Sequence, residues 1–173
     1  MFADEFGLSF RDRVATTWGA VGQTPMFTRE DKRRSVSCFC GLTTSGKLYT
    51  VYFNGSINGD RVVTALKYIR RYLSGELIVI RDRLKAHKGA AVREYLEEDD
   101  QLEVIELPAY GPELNPEEYC HGYAKERLRN LTPHSEQELL QPAEKEFSRM
   151  RRRPTLLRSF FDHAKIPIMN QSD

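Results

Sequence analysis

The sequence predicts an α/β fold, a mixed sheet with helices on both faces, and three observations carry that prediction. SVSCFCGLTTSGKLYTVYFNG alternates apolar and polar residues, with many β-branched positions, on either side of a Thr-Ser-Gly-Lys turn at 44–47, which reads as a β-hairpin. INGDRVVTALKYIRRYL then changes period: Val62, Leu66, Ile69 and Leu73 recur at helical spacing, with Arg70 and Arg71 placed outside. Beyond it, short apolar runs alternate with helical segments, the pattern of β–α–β crossovers.

Taken in order, FADEFGLSF is a first strand with Asp4 on it, and RDRVATTWGAVGQTP is turn-rich, broken by Gly19, Gly22 and Pro25. After the hairpin and first helix, ELIVI is a continuous apolar run of the kind buried on both faces. KGAAVREYLEEDD is a second helix, LEVIELP a further strand and PEEYCHGYAKERLRN a third helix. SEQELLQPAEKEFSRM and PTLLRSFFDHAKI form a helical tail with Leu139, Leu140, Phe147, Leu156 and Phe160 toward a core, and Pro142 predicts a kink in the first of them. The expected organisation is a single domain over 1–173, with a core over about 1–130 and a helical tail over 131–173.

A hydrophobic content of 40% and a charged content of 29% are those of a soluble globular chain. No run approaches the roughly 20 apolar residues of a membrane span. MFADEFGLSFRDR carries acids where a signal peptide has a basic and then an apolar region, so a cytoplasmic location is expected. Cys38, Cys40 and Cys120 show no metal-ligand spacing, and Cys38 and Cys40 alternate as small buried residues on one face of a strand. The net charge of +1 conceals segregation. Arg61 to Lys88 holds eight Lys/Arg against two acids, Glu94 to Glu118 ten acids and no Lys or Arg, and Lys125 to Lys165 ten basic residues against six acidic. Basic segments flanking an acidic one fit a nucleic-acid protein with a carboxylate site.

LPAYGPELNPEEY holds the densest signal. Asn115 is a helix N-cap and Pro116 stands at the first helical position, where its missing N–H costs nothing. Glu118 is three residues past the cap, placed either to reach back to the cap N–H or to be aimed at something else. Ligand sites in open α/β sheets lie at the carboxyl ends of strands. If the first and fourth strands are neighbours, Asp4, Asp82 at the end of ELIVIRD, and Glu118 converge. Several carboxylates gathered together need cations, and hard oxygen donors suit Mg²⁺ or Mn²⁺. Two such ions about 3.5–4 Å apart would clamp the oxygens of a phosphoryl transfer.

The same segments resemble those of the mariner-like DDE transposases of bacterial insertion sequences. LPAYGPELNPEEY resembles that family's Pro-x-Tyr-x-Pro-x-Leu-Asn-Pro-x-Glu motif, and IRDRLKAHKG, with His87 five residues after Asp82, its second acidic motif. FADEFG resembles the first acidic motif and TTWGAVGQTP the Trp-and-Gly segment that follows. The 35 residues between Asp82 and Glu118 are close to the family spacing. The resemblance covers nearly the whole chain, in order, and implies a ribonuclease-H-like five-stranded sheet. It also implies a DNA endonuclease site in which Asp4, Asp82 and Glu118 hold two Mg²⁺ or Mn²⁺ ions. Water would free a 3′-hydroxyl at a transposon end, and that hydroxyl would attack target DNA. Expected partners are transposon-end and target DNA and a second copy of the chain. The chain begins almost on its first acid, so the helix-turn-helix region that family members carry is expected to be absent or supplied by a separate segment. His121 stands where a tryptophan is common in the family, and Arg83 where Asn is common. A bacterial, nucleoid-associated setting follows by the same resemblance.

Arg83, Lys85, His87, Lys88, Lys125, Arg127 and Arg129 are the candidate DNA contacts. His87 fits a helix start with no chemical role as well as a contact to DNA or to Asp82, and Tyr110 fits packing within its loop. Arg149 and Arg151 to Arg153 fit a solvated helix end as well as phosphate contacts. Two other functions share these residues: a structure-specific nuclease of the same fold that cleaves without joining, and an inactive DNA-binding remnant.

Overall fold

Alternation along the first strand divides the molecule. In a computed structural model, which describes residues 1–9, 16–26, 35–83, 89–109 and 111–168, β1 spans Phe2–Ser9 at the centre of a five-stranded sheet. The hairpin strands β2 (Ser35–Leu42) and β3 (Leu48–Asn54) and the crossover strands β4 (Leu77–Arg81) and β5 (Leu102–Glu106) complete it in the order β3-β2-β1-β4-β5. β2 pairs antiparallel with β1 and β3, whereas β4 runs parallel to β1 and β5 to β4. This is the mixed sheet expected from the meander-then-crossover pattern. Successive side chains point to opposite faces, so Phe2, Phe6 and Leu8 enter one core and Ala3 the other.

The core on the Ala3 side is closed by α1 (Gly59–Arg70) and α2 (Ala90–Glu98), through Val62, Leu66, Ile69 and Val92. Asn58 caps α1 by accepting from the Arg61 N–H at 3.0 Å. Arg70 is not outside, as helical spacing alone suggested. Its guanidinium reaches Asp99 at 3.0 and 3.3 Å and donates to the carbonyls of Leu73 and Gly75. The cation at the end of α1 thus satisfies two carbonyls of the loop that follows it and ties α1 to the end of α2.

The opposite core is covered by α3 (Pro116–Arg127), α4 (Glu136–Arg151) and α5 (Pro154–His163). Phe147 is fully buried and its ring meets Phe6 edge-on at 5.2 Å, which fastens α4 to the sheet. Leu139 and Phe160 are buried there as well, with Leu140 and Leu156 packed at the margin. α4 runs from Glu136 to Arg151 as one helix through Pro142. Cys38 and Cys40 are buried on this face. Among the described residues, no helix is long and apolar enough to cross a membrane.

Candidate active site

The parallel pairing of β1 with β4 sets Phe2 opposite Ile80 and Ala3 opposite Arg81. One residue further along each chain come Asp4, third in its strand, and Asp82, just past the end of β4. The Leu107 N–H donates to the Arg81 carbonyl at 2.8 Å, so β5 delivers the loop before α3 beside Asp82. That loop holds a short 3-10 turn, Pro112–Leu114, and ends at the N-cap Asn115. Asp4, Asp82 and Glu118 thereby line one cavity of about 260 Å³, together with Arg83, Asn115 and residues 107–109 and 111–112 of that loop.

Asn115 fixes two parts of this site at once. Its side-chain oxygen accepts from the Glu117 N–H at 3.1 Å, which caps α3, while its amide nitrogen donates to Asp4 Oδ2 at 3.3 Å. The Asn115 backbone N–H already donates to the Pro112 carbonyl at 2.9 Å. Glu118 therefore does not close a capping box; the 3-10 turn has taken the donor it would have reached, and its side chain is exposed at the cavity. The other oxygen of Asp4 accepts from the Glu5 N–H at 2.7 Å. Burial pushes the Asp4 carboxyl up to about 7, and the negative charges of Glu118, Asp82 and Glu5 add to the rise while the Glu5 N–H opposes it.

Behind Asp4 lies a group that sequence reasoning did not single out. Glu117, next to Glu118 in sequence, is fully buried, and His121, one turn on, is 2% exposed. The His121 ring stands between two carboxyls, with Nδ1 3.7 Å from Asp4 Oδ2 and Nε2 3.8 Å from Glu117 Oε2. Burial drives the His121 imidazole down to about 3, with Lys125 adding to the effect, and drives the Glu117 carboxyl well above the carboxylate range. The four-residue spacing of Glu117 and His121 was readable as one helix face. That the face is turned inward was not, because the low apolar periodicity of PEEYCHGYAKER gives no inner stripe.

The candidate DNA contacts are placed unequally. Arg83 is exposed at the cavity rim, with Nε donating to the Leu107 carbonyl at 3.1 Å and Glu106 at 3.6 Å. Lys125 stands over the Phe6 ring at 5.7 Å, one turn down α3 from His121. The Arg127 guanidinium lies on the Tyr123 ring and 3.3 Å from Glu146, and Arg129 pairs with Glu126. Lys85, His87, Lys88 and Tyr110 lie outside the described residues.

The comparisons with known proteins address both fold and family. No curated protein sequence matches significantly. The structure is similar to that of the mariner Mos1 paired-end complex with Mg, at TM-score 0.65 and 19% identity, over 93% of this chain and 52% of that one. The paired-end complex with Mn gives 0.63 and 21%, over 93% and 53%. The Mos1 transposase catalytic domain with Raltegravir and Mg gives 0.59 and 18%, over 94% and 80%. The chain thus spans about half the length of the chains in the paired-end complexes. These likenesses establish the ribonuclease-H-like fold of the transposase catalytic domain. The family model described as DDE superfamily endonuclease matches residues 1–141, from the first acid through the third and beyond α3. With the fold and the family model in agreement over most of its length, the chain belongs to the DDE superfamily endonucleases.

Proposed function

We propose that this chain is the catalytic domain of a cut-and-paste DNA transposase, with Asp4, Asp82 and Glu118 as its metal-holding and catalytic residues. The observation that carries the reading is the convergence of these carboxylates, from β1, the end of β4 and the first turn of α3, on one cavity. The donor set fits a hard divalent cation: all three groups offer oxygen, and Asp4 is held high by burial and by its acidic neighbours, a cost that a cation removes. Two Mg²⁺ or Mn²⁺ ions, when bound, would supply Lewis-acid activation of the attacking oxygen and neutralise the leaving one.

The protein's own part is positional. The Glu5 N–H and the Asn115 amide hold the two Asp4 oxygens in a fixed plane. Glu118, exposed and unengaged by a capping box, completes the donor set from the solvent side. Arg83 at the rim and Lys125 along α3 would meet phosphates by charge, without reading sequence. The partners are transposon-end DNA, as in the Mos1 paired-end complex with left transposon end, and target DNA, and the active form is a homodimer that holds two ends. A separate segment would supply end recognition, in a bacterial nucleoid setting.

Calorimetry of Mn²⁺ binding with a short DNA duplex, followed by nicking and strand-joining assays, tests the reading. Asp82→Asn and Glu118→Gln should each weaken Mn²⁺ binding and abolish nicking. Wild-type binding that neither substitution changes would refute the shared site, and nicking without joining would reduce the protein to a nuclease.

A further inference from the structure

The chain holds a second cluster of metal-ligating groups, chemically unlike the acids of the cavity. Asp4 on β1 faces Cys40 on β2 in the antiparallel register, and both side chains point toward α3. There the Cys40 thiol, the Glu117 carboxyl and the His121 imidazole meet, with one ligand atom of each within 4.8 Å of the others and all three residues buried. Two further thiols border them: Cys38 Sγ lies 3.5 Å from Cys40 Sγ, and Cys120 gives the Glu117 carboxyl a favourable polar contact. Neither Glu117 oxygen nor His121 Nε2 has a hydrogen bond of good geometry, although none is reached by solvent. Buried polar atoms left unsatisfied cost about 1–3 kcal/mol each, and with only the Cys120 thiol beside Glu117 these atoms around one small space call for an occupant.

We propose that Cys40, Glu117 and His121 form a buried structural site for Zn²⁺ or a similar borderline-soft ion, adjoining the cavity of Asp4, Asp82 and Glu118, whose Asp4 and Glu118 also lie within ligand reach of His121. A thiolate, an imidazole and a carboxylate are the donors that zinc takes, at about 2.0–2.3 Å in a tetrahedron. That geometry puts ligand atoms roughly 3.3–3.8 Å apart, and Glu117 Oε2 and His121 Nε2 are 3.8 Å apart. The outward nitrogen of His121 faces Asp4 at 3.7 Å. Metal-bound histidines commonly give their second N–H to a carboxylate in this way, which fixes the ring and the acid together. The buried ion would brace the first acid of the catalytic cavity from behind. Sequence spacing did not show this site because its ligands come from β2 and α3, and only the strand register sets Cys40 against them.

The test is independent of catalysis. Zinc content would be measured on the purified protein, and the metal-free chain would be refolded with Co²⁺ and its absorption recorded. The expected result is about one zinc per chain, and a thiolate-to-cobalt charge-transfer band with tetrahedral d–d bands. All three cysteines of the chain lie buried, so the charge-transfer band in the wild-type protein already shows thiol ligation. Cys40→Ala should remove that band, and the near-isosteric Glu117→Gln should weaken Co²⁺ binding at least about tenfold. Asp82→Asn and Glu118→Gln should leave both bands unchanged. Zinc added to the metal-free wild type should raise its melting temperature by about 5 °C or more. A folded wild type with no zinc and no cobalt bands would overturn the proposal. So would bands without thiolate character that disappear in Asp82→Asn, which would put the ion in the acid cavity and leave the transposase reading untouched.

Discussion

Replacing the first acid should make the metal-free protein more stable, by an amount that depends on pH. Asp4 titrates near 3.8 in an unfolded chain and at about 7 in the folded one. The native state therefore holds this proton more tightly than the unfolded state does. Below pH 3.8 both states are protonated and Asp4 makes no difference. Between 3.8 and 7 the unfolded chain ionises first, so stability falls as pH rises, and above 7 the full cost is present. At about 1.36 kcal/mol per unit, a rise of roughly three units amounts to about 4 kcal/mol. Asp4→Asn keeps the shape and has nothing to ionise. Its amide nitrogen cannot accept, so one of the two hydrogen bonds from the Glu5 N–H and the Asn115 amide is lost at both pH values. That loss costs about 1–3 kcal/mol and leaves the pH-dependent difference unchanged. Urea denaturation of both proteins in chelator, at pH 5 and pH 8, measures the difference. The variant's advantage should grow by about 2.5 kcal/mol between the two. Mn²⁺ at pH 8 should narrow or reverse that ranking, because only the wild type offers the cation a carboxylate at this position. An advantage that is the same at pH 5 and pH 8, or a variant less stable than wild type at pH 8, would refute the argument that burial makes Asp4 an electrostatic burden without metal.

Other expectations follow from the packing. Asn115→Ala loses the α3 cap, about 1 kcal/mol, and a buried bond to Asp4, about another 1–2 kcal/mol, so thermal unfolding should move down by roughly 5 °C or more. Asn115→Asp keeps the cap but sets a carboxylate against Asp4, and should recover stability at pH 5 more fully than at pH 8. Phe147→Ala, which empties a fully buried site against Phe6, should cost about 3–5 kcal/mol by denaturant titration. Arg70→Ala strands Asp99 and two loop carbonyls, and a loss of about 2–3 kcal/mol is expected; hydrogen exchange should report it first at the end of α1.

Much of the fold was legible because the periods of its segments are clean. The alternation in SVSCFCGL and LYTVYFN, the helical recurrence of Val62, Leu66 and Ile69, and the apolar run ELIVI each gave an element where it was expected, although Ile78 in that last strand is 45% exposed, so the strand is not buried on both faces. The start of α3, and with it the place of Glu118, was legible because caps and turns are local: Asn115 and Pro116 mark a helix start whatever the tertiary structure. What escaped depends on register or on direction. Glu117 is adjacent to Glu118 in sequence, yet a 100° step around α3 takes it from cavity to core. Arg70 looked solvated by period, but its long side chain folds back onto carbonyls that no period describes. Cys40 meets Glu117 through a β-pairing that one residue of slip would reverse.

The unequal footing of the acids has a consequence for how a substrate would be handled. Asp4 belongs to the central strand, hydrogen-bonded to neighbours on both sides, and its backbone can move only if the sheet opens. Glu118 rides on the first turn of a helix at the edge of solvent, and Asp82 follows the last residue of its strand. In the proposed reaction, incoming phosphate and cations would meet one reference point set by the sheet and two acids held at element ends. The helix start and the strand end would take up errors in docking, while the sheet would keep the origin of the reaction in place.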